Sequence, residues 1–212
     1  MIRRLCLIAA LLVPLPIAAQ ELTPPVAGAF QLDLGHTRLL FRVNHLGFSN
    51  YTAFFRDVTG TLAFDPENPA AMTLQATVQT GSVETMYPDP AYDFNATLAG
   101  PDLLDAAQFP QITFVSTAVV VTGENTADVT GDLTLHGVTK PVTLAVIYNG
   151  GYGHFPMDPS GARIGFSATG SLLRSDFGMG YGVPVPGSEF GVSDKVEIII
   201  ETEFTNANAP KP

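Results

Sequence analysis

The chain of 212 residues carries 10 Lys and Arg against 20 Asp and Glu, a formal charge of −10, so a nucleic-acid partner is excluded. Hydrophobic residues make up 46% and charged residues 14%, with 14 Phe and no Trp, which excludes a disordered chain and points to an aliphatic and aromatic core. The single cysteine, Cys6, lies so near the start that an exported, processed chain has no disulfide and no thiolate metal site.

In chain order, Arg3 and Arg4 precede an apolar run from Leu5 to Ile17, and Ile17-Ala18-Ala19 forms a small-residue exit before Gln20. This is the pattern of a cleaved secretory signal over residues 1–19, since the run is short for a membrane span and is interrupted by Pro14 and Pro16. Its removal takes away two basic residues and no acidic ones, leaving 8 minus 20, a formal charge of −12, on a periplasmic or secreted protein. Residues 20–29, with Pro24 and Pro25, read as a linker, 30–205 as one domain and 206–212 as a flexible tail.

From Arg38 the residues Leu39, Phe41, Val43 and His45 share one parity, the two-residue period of a strand with one dry face. The aromatic segment Phe48–Asp57 reads as a short helix or wide loop, which could plug a barrel mouth. Leu62 and Phe64 point inward on the next strand, and Met72–Thr80 alternates Met72, Leu74, Ala76 and Val78 against polar neighbours. Strand periodicity stops between Gly81 and Pro110, where Pro101–Ala107 reads as a short helix with Leu103, Leu104 and Ala107 on one stripe.

Strand pattern resumes with Ile112 and Phe114 inward. The hairpin Gly131–Val142 follows, with Leu133 and Leu135 inward, a reversal at Gly137, and Pro141 acceptable only at a bulge or a sheet rim. Ile164, Phe166 and Ala168 alternate on the strand Ala162–Leu172. Arg174-Ser175-Asp176-Phe177-Gly178 then leads into a glycine-rich run, and Val196, Ile198, Ile200 and Phe204 share the last strand's inner parity. About eight or nine one-sided, mostly antiparallel strands and one short helix make an all-β closed barrel the expected fold, since closure removes exposed edges.

These residues resemble the YceI-like family. The resemblance is carried by Gln31-Leu32-Asp33 with His36-Thr37, Phe41-Arg42-Val43-Asn44-His45, Phe109-Pro110-Gln111-Ile112-Thr113-Phe114, the hairpin Gly131–Val142, Arg174–Gly178 and Ser193-Asp194-Lys195-Val196, in that order. It implies an exported lipocalin-like eight-stranded barrel that binds polyisoprenoid lipid; transient membrane contact and a monomeric or homodimeric state are separate expectations for the chain. One departure stands out: where the family commonly has Arg-Asp-x-His-Leu before its small helix, this chain has Phe94-Asn95-Ala96-Thr97-Leu98, so the role of that histidine is not carried over.

No catalytic motif emerges. The four histidines, His36, His45, His136 and His154, show no metal-ligand spacing, Ser175 and Ser193 lie in no nucleophile elbow, and no phosphate loop is present. The expected function is binding of a long isoprenoid, a prenyl quinone or polyprenyl phosphate, with no covalent cofactor and no metal. The expected wall is Phe41, Val43, His45, Leu62, Phe64, Leu74, Ala76, Val78, Phe114, Leu133, Leu135, Ile164 and Phe166, with Arg174 and Phe177 at the rim. For several wall residues the alternative is mutual packing at a closed end, and for Arg174 an exposed ion pair with Asp176. Two other functions stand beside carriage: an enzyme using His45 or His154 at the mouth, and a solid barrel used for protein contacts.

Overall fold

The computed structural model describes residues 22–188 and 190–210, so the expected leader over 1–19 lies outside the described residues. Ten strands run in order: β1 (Gly28–His45), β2 (Ser49–Phe55), β3 (Val58–Phe64), β4 (Thr73–Gln79), β5 (Val83–Glu84), β6 (Gln111–Gly123), β7 (Thr126–Leu135), β8 (Val138–Tyr152), β9 (Ala162–Leu173) and β10 (Val192–Asn206). The pairing order β10-β9-β8-β7-β6-β4-β3-β1 closes through β1 with β10, giving an eight-stranded antiparallel barrel.

β2 and β5 are extensions of barrel strands. The long β1 pairs with β3 over Gly28–Gln31 and with β2 over Leu39–His45, so β2 and β3 are one strand broken at Arg56-Asp57. β5 continues β4 beyond a 3-10 turn at Thr80–Ser82 and pairs with Phe54 and Phe55. The helix or wide loop expected at Phe48–Asp57 is therefore a strand. Tyr51, Ala53 and Phe55 alternate toward the interior, and only the Leu46–Phe48 turn interrupts the ladder.

The helix is also displaced from its expected position. α1 spans Phe94–Ala99, and the Asp93 side chain accepts the Ala96 N–H at 2.9 Å as its N-cap. Pro101–Ala107 instead folds into tight turns against the end of α1, with the Asp105 N–H bonded to the Gly100 carbonyl at 2.8 Å and Asp105 itself at φ 42°. At the β7–β8 reversal, His136 (φ 52°) and Gly137 (φ 73°) both lie in the left-handed region, as a two-residue hairpin loop requires. Pro141 pairs toward Asp132 of β7, while the ladder to β9 begins only at Leu144 with Gly170, so its missing N–H falls at a rim.

The interior has two unequal parts. Where β1 begins and β10 ends, Phe30, Leu62, Phe64, Ala162, Ile164 and Phe204 form a solid plug, with the Phe30 and Phe64 rings edge-to-face at 5.5 Å. Residues expected to be linker and tail contribute to this end: the Thr23 carbonyl accepts the Gly153 N–H at 2.6 Å, and Ala209 is buried in the plug. The opposite half is framed by the β1–β2 turn, the segment carrying α1, the β7–β8 turn and the loop from Gly178 to Gly191.

Candidate functional site

The open half of the barrel encloses a cavity of about 750 Å³. Phe41, Val43 and His45 of β1, Leu74, Ala76 and Val78 of β4, Phe114 of β6, and Leu133 and Leu135 of β7 all stand on its wall, on the inward parity their alternation implies. Leu62, Phe64, Ile164 and Phe166, expected on the same wall, do not. The first three are buried in the plug, and the Phe166 ring packs edge-to-face on Phe204 at 6.1 Å. They face inward correctly but at the end where opposing aromatic rings meet and leave no space.

Other wall residues were not assigned to the cavity from sequence, although Ile198 and Ile200 fall on an inner parity there. Tyr51 and Phe55 come from β2, Val142 and Leu144 from β8, and Ile198 and Ile200 from β10, all carrying a period-two signal. Phe94 and Leu98 come from one face of the short α1, and Tyr87, Leu104, Met179 and Tyr181 from the irregular segments over the mouth, where no period marks a buried face. Tyr51, Tyr87 and Phe94 form one aromatic group there, with centroids 5.7 Å apart for Tyr51–Phe94 and 5.3 Å for Tyr87–Phe94.

Arg174 stands on the cavity wall, where a ligand contact was expected, but the exposed pair with Asp176 does not form. It is 5% exposed, so it is not a solvated rim residue, and Asp176 bonds Lys140 Nζ at 2.7 Å. The guanidinium donates instead to four backbone carbonyls: Ser193 (3.0 Å), Met179 (3.2 Å), Tyr181 (2.6 Å) and Val192 (2.8 Å). Burial pulls its pKa below the ordinary arginine value, and the charge of Asp194 opposes that shift in part. Phe177 is likewise not on the cavity wall. Its buried ring belongs to the main core, and its carbonyl lies 3.1 Å from His136 Nδ1.

The chemistry of the wall is sparse. Among the described residues it carries no carboxylate, and its ionisable groups are His45, Arg174 and three tyrosines. His154 is remote from it, in an isolated β-bridge with Thr23. A cluster that sequence spacing did not reveal, Asp33, His36 and Glu203, lies outside the cavity. The Arg163 guanidinium occupies it, bonding Asp33 Oδ2 at 2.8 Å and Glu203, so the positive charge a cation would bring is already there.

The model of the YceI-like domain matches residues 30–204. The chain belongs to the YceI-like family. Protein YceI of Escherichia coli O157:H7 is 38% identical over 181 residues, covering 84% of this chain and 87% of that protein. Burkholderia cenocepacia BcnA superposes with a TM-score of 0.68 at 26% identity, over 81% of this chain and 98% of that one. A polyisoprenoid binding domain from Saccharophagus degradans, implicated in plant cell wall breakdown, shares the fold at a TM-score of 0.58 and 16% identity, over 85% and 98% of the chains. In this YceI-like barrel the divergent run Phe94–Leu98 is the body of α1, and it turns Phe94, Thr97 and Leu98 toward the cavity.

Proposed function

We propose that this YceI-like barrel is an exported, periplasmic binding protein that holds one long isoprenoid chain and carries or stores it away from water. The cavity is the observation that carries this reading: it is apolar almost throughout, closed at one end by the Phe30–Phe64 plug and open at the other. Its volume of about 750 Å³ falls within the range of roughly 300–1,000 Å³ of small-molecule sites. On β10 the wall extends from Val192 to Phe204, roughly 40 Å of strand and, at an ordinary barrel tilt, roughly 30 Å along the axis. A slender blind tube suits an extended chain better than a compact ligand.

Magnitudes favour a long chain. Ten buried carbons contribute about 8 kcal/mol at about 0.8 kcal/mol per methylene, which falls inside the roughly 4–15 kcal/mol that association costs and leaves little surplus. A longer prenyl chain exceeds that cost. The head sits at the mouth beside Arg174, whose charge no described carboxylate contacts, which favours a phosphate or quinone head. A wall without carboxylates among the described residues offers no carboxylate acid–base pair, which supports binding rather than turnover, without metal or covalent cofactor.

Native mass spectrometry of the gently purified protein tests this. The expected result is a bound lipid whose mass matches an isoprenoid, or uptake of a prenyl quinone by lipid-free protein. Lipid-free protein that takes up neither prenyl quinone nor polyprenyl phosphate overturns it.

A further inference from the structure

Large apolar side chains stand in solvent on each of three segments around the cavity mouth. Phe48, 81% exposed, tips the β1–β2 turn; Met86 and Tyr87 project before α1; Tyr181, Val185 and Phe190, the last 82% exposed, lie on the loop that precedes β10. Single exposed apolar residues need no explanation, but these gather at one end and are continuous with the cavity. Tyr87 and Tyr181 line its wall while their side chains remain partly in solvent. The Leu46 N–H donates to the Gly191 carbonyl at 2.9 Å, which holds the Phe48 turn beside the segment bearing Phe190.

The charge around this rim is one-sided. Residues 46–55, 85–110 and 178–191 contain no lysine or arginine, whereas Asp89, Asp93, Asp102 and Asp105 lie on the α1 segment. An anionic lipid surface is repelled by such a rim. A second copy docked mouth to mouth faces the same carboxylates across the contact. The rim is also divided among separate loops, and side chains at Gly180, Gly182 and Gly187 would meet open space, unlike the packed, self-complementary face of a stable dimer. Tyrosine and phenylalanine at the border of an apolar tube are the side chains that rest at a membrane–water boundary.

We infer that the mouth rim docks on a lipid surface with neutral head groups, so that the chain passes between membrane and barrel without crossing water. This rests on the proposed carriage of a lipid, and names the surface from which the cargo is taken.

The test is flotation of the full chain with phosphatidylcholine vesicles, with and without added phosphatidylglycerol, compared with the double variant Phe48→Ser, Phe190→Ser. Neither residue lines the cavity. The parent floats with neutral vesicles and less with anionic ones; the variant partitions at least about tenfold more weakly, from the loss of two inserted rings. Transfer of a prenyl quinone from vesicles slows by the same factor, while its equilibrium uptake from detergent stays unchanged. A parent that does not float, a variant that floats equally well, or a parent whose self-association by light scattering disappears in the variant each overturns the docking inference. Docking without uptake from detergent leaves the rim assignment standing and removes the carriage reading.

Discussion

The guanidinium of Arg174 donates to the carbonyl of Tyr181 at 2.6 Å, tying a mouth-loop residue of the cavity wall to the 3-10 turn after β9. With its bonds to Met179, Val192 and Ser193, this makes Arg174 the clasp of the loop between Gly178 and Gly191. Arg174→Gln leaves carbonyl acceptors without donors. It is expected to lower stability by about 2–4 kcal/mol in urea denaturation, the scale of a charged donor removed from a buried site. The same variant separates clasp from head-group contact. Loss of affinity for polyprenyl phosphate that shrinks at high salt, with an uncharged prenol unaffected, marks a head-group role; equal losses for both ligands assign Arg174 to the loop alone.

Ala76 faces the tube from β4, opposite Phe114 of β6. Ala76→Phe fills the tube at that level at an overpacking cost of about 1–3 kcal/mol, and prenyl quinone uptake by the folded variant is expected to fall sharply. Gly131 is a second lever on the same level. A Cβ there would collide with the Phe114 ring, so Gly131→Ala must displace that ring. Uptake equal to the parent's in both variants, with circular dichroism unchanged, removes this level from the ligand path.

The parities on which these levers stand were legible because a strand has a strict two-residue period, and a residue such as Ala76 takes its side from its neighbours. Which end of the tube is solid was not legible. Phe30 meets Phe64, and Phe166 meets Phe204, only after closure brings distant strands together. The helix was misplaced because Pro101 serves two signals: proline suits a first helical turn and equally the residues just past a helix end, here after Gly100. Asp93, three residues before Ala96, was the cap that marked the true start. Arg174 looked like a rim residue because its acceptors are backbone carbonyls from residues 179–193, which have no side-chain signature.

The plug and the wall have separable energetics. Phe64 is buried against Phe30 and takes no part in the cavity wall. Phe64→Ala is expected to cost about 3–5 kcal/mol of stability in urea denaturation, as large-to-small core substitutions do. Prenyl quinone affinity per folded molecule should stay within a few-fold of the parent. A large gain in chain-length tolerance would instead mean that the plug opens and the tube is not closed at that end.

Acid stability follows from Arg163. Its guanidinium bonds Asp158 at 2.9 Å, Asp33 at 2.8 Å and Glu203, at the closed end of the barrel. Burial alone lowers the pKa of Arg163, but hydrogen bonds to the three carboxylates raise it above the ordinary arginine value. Hydrogen bonds from Ser160 and Tyr152, then Arg163, hold Asp158 well below the usual carboxylate range, and Arg163 is the main cause for Asp33. Both groups therefore bind protons more weakly folded than unfolded. Their stabilisation is complete above the ordinary carboxylate pKa of about 4 and is lost as pH falls through the lower folded values. Arg163→Met leaves three carboxylates facing one another, with an expected loss of about 3 kcal/mol near neutral pH. Lowering the pH protonates those carboxylates in the variant and relieves their repulsion, while the parent loses its network. The stability gap between the two proteins, read from urea midpoints across the acid range, should narrow as pH falls below about 4. A gap of constant size at every pH would mean that Arg163 contributes through packing alone.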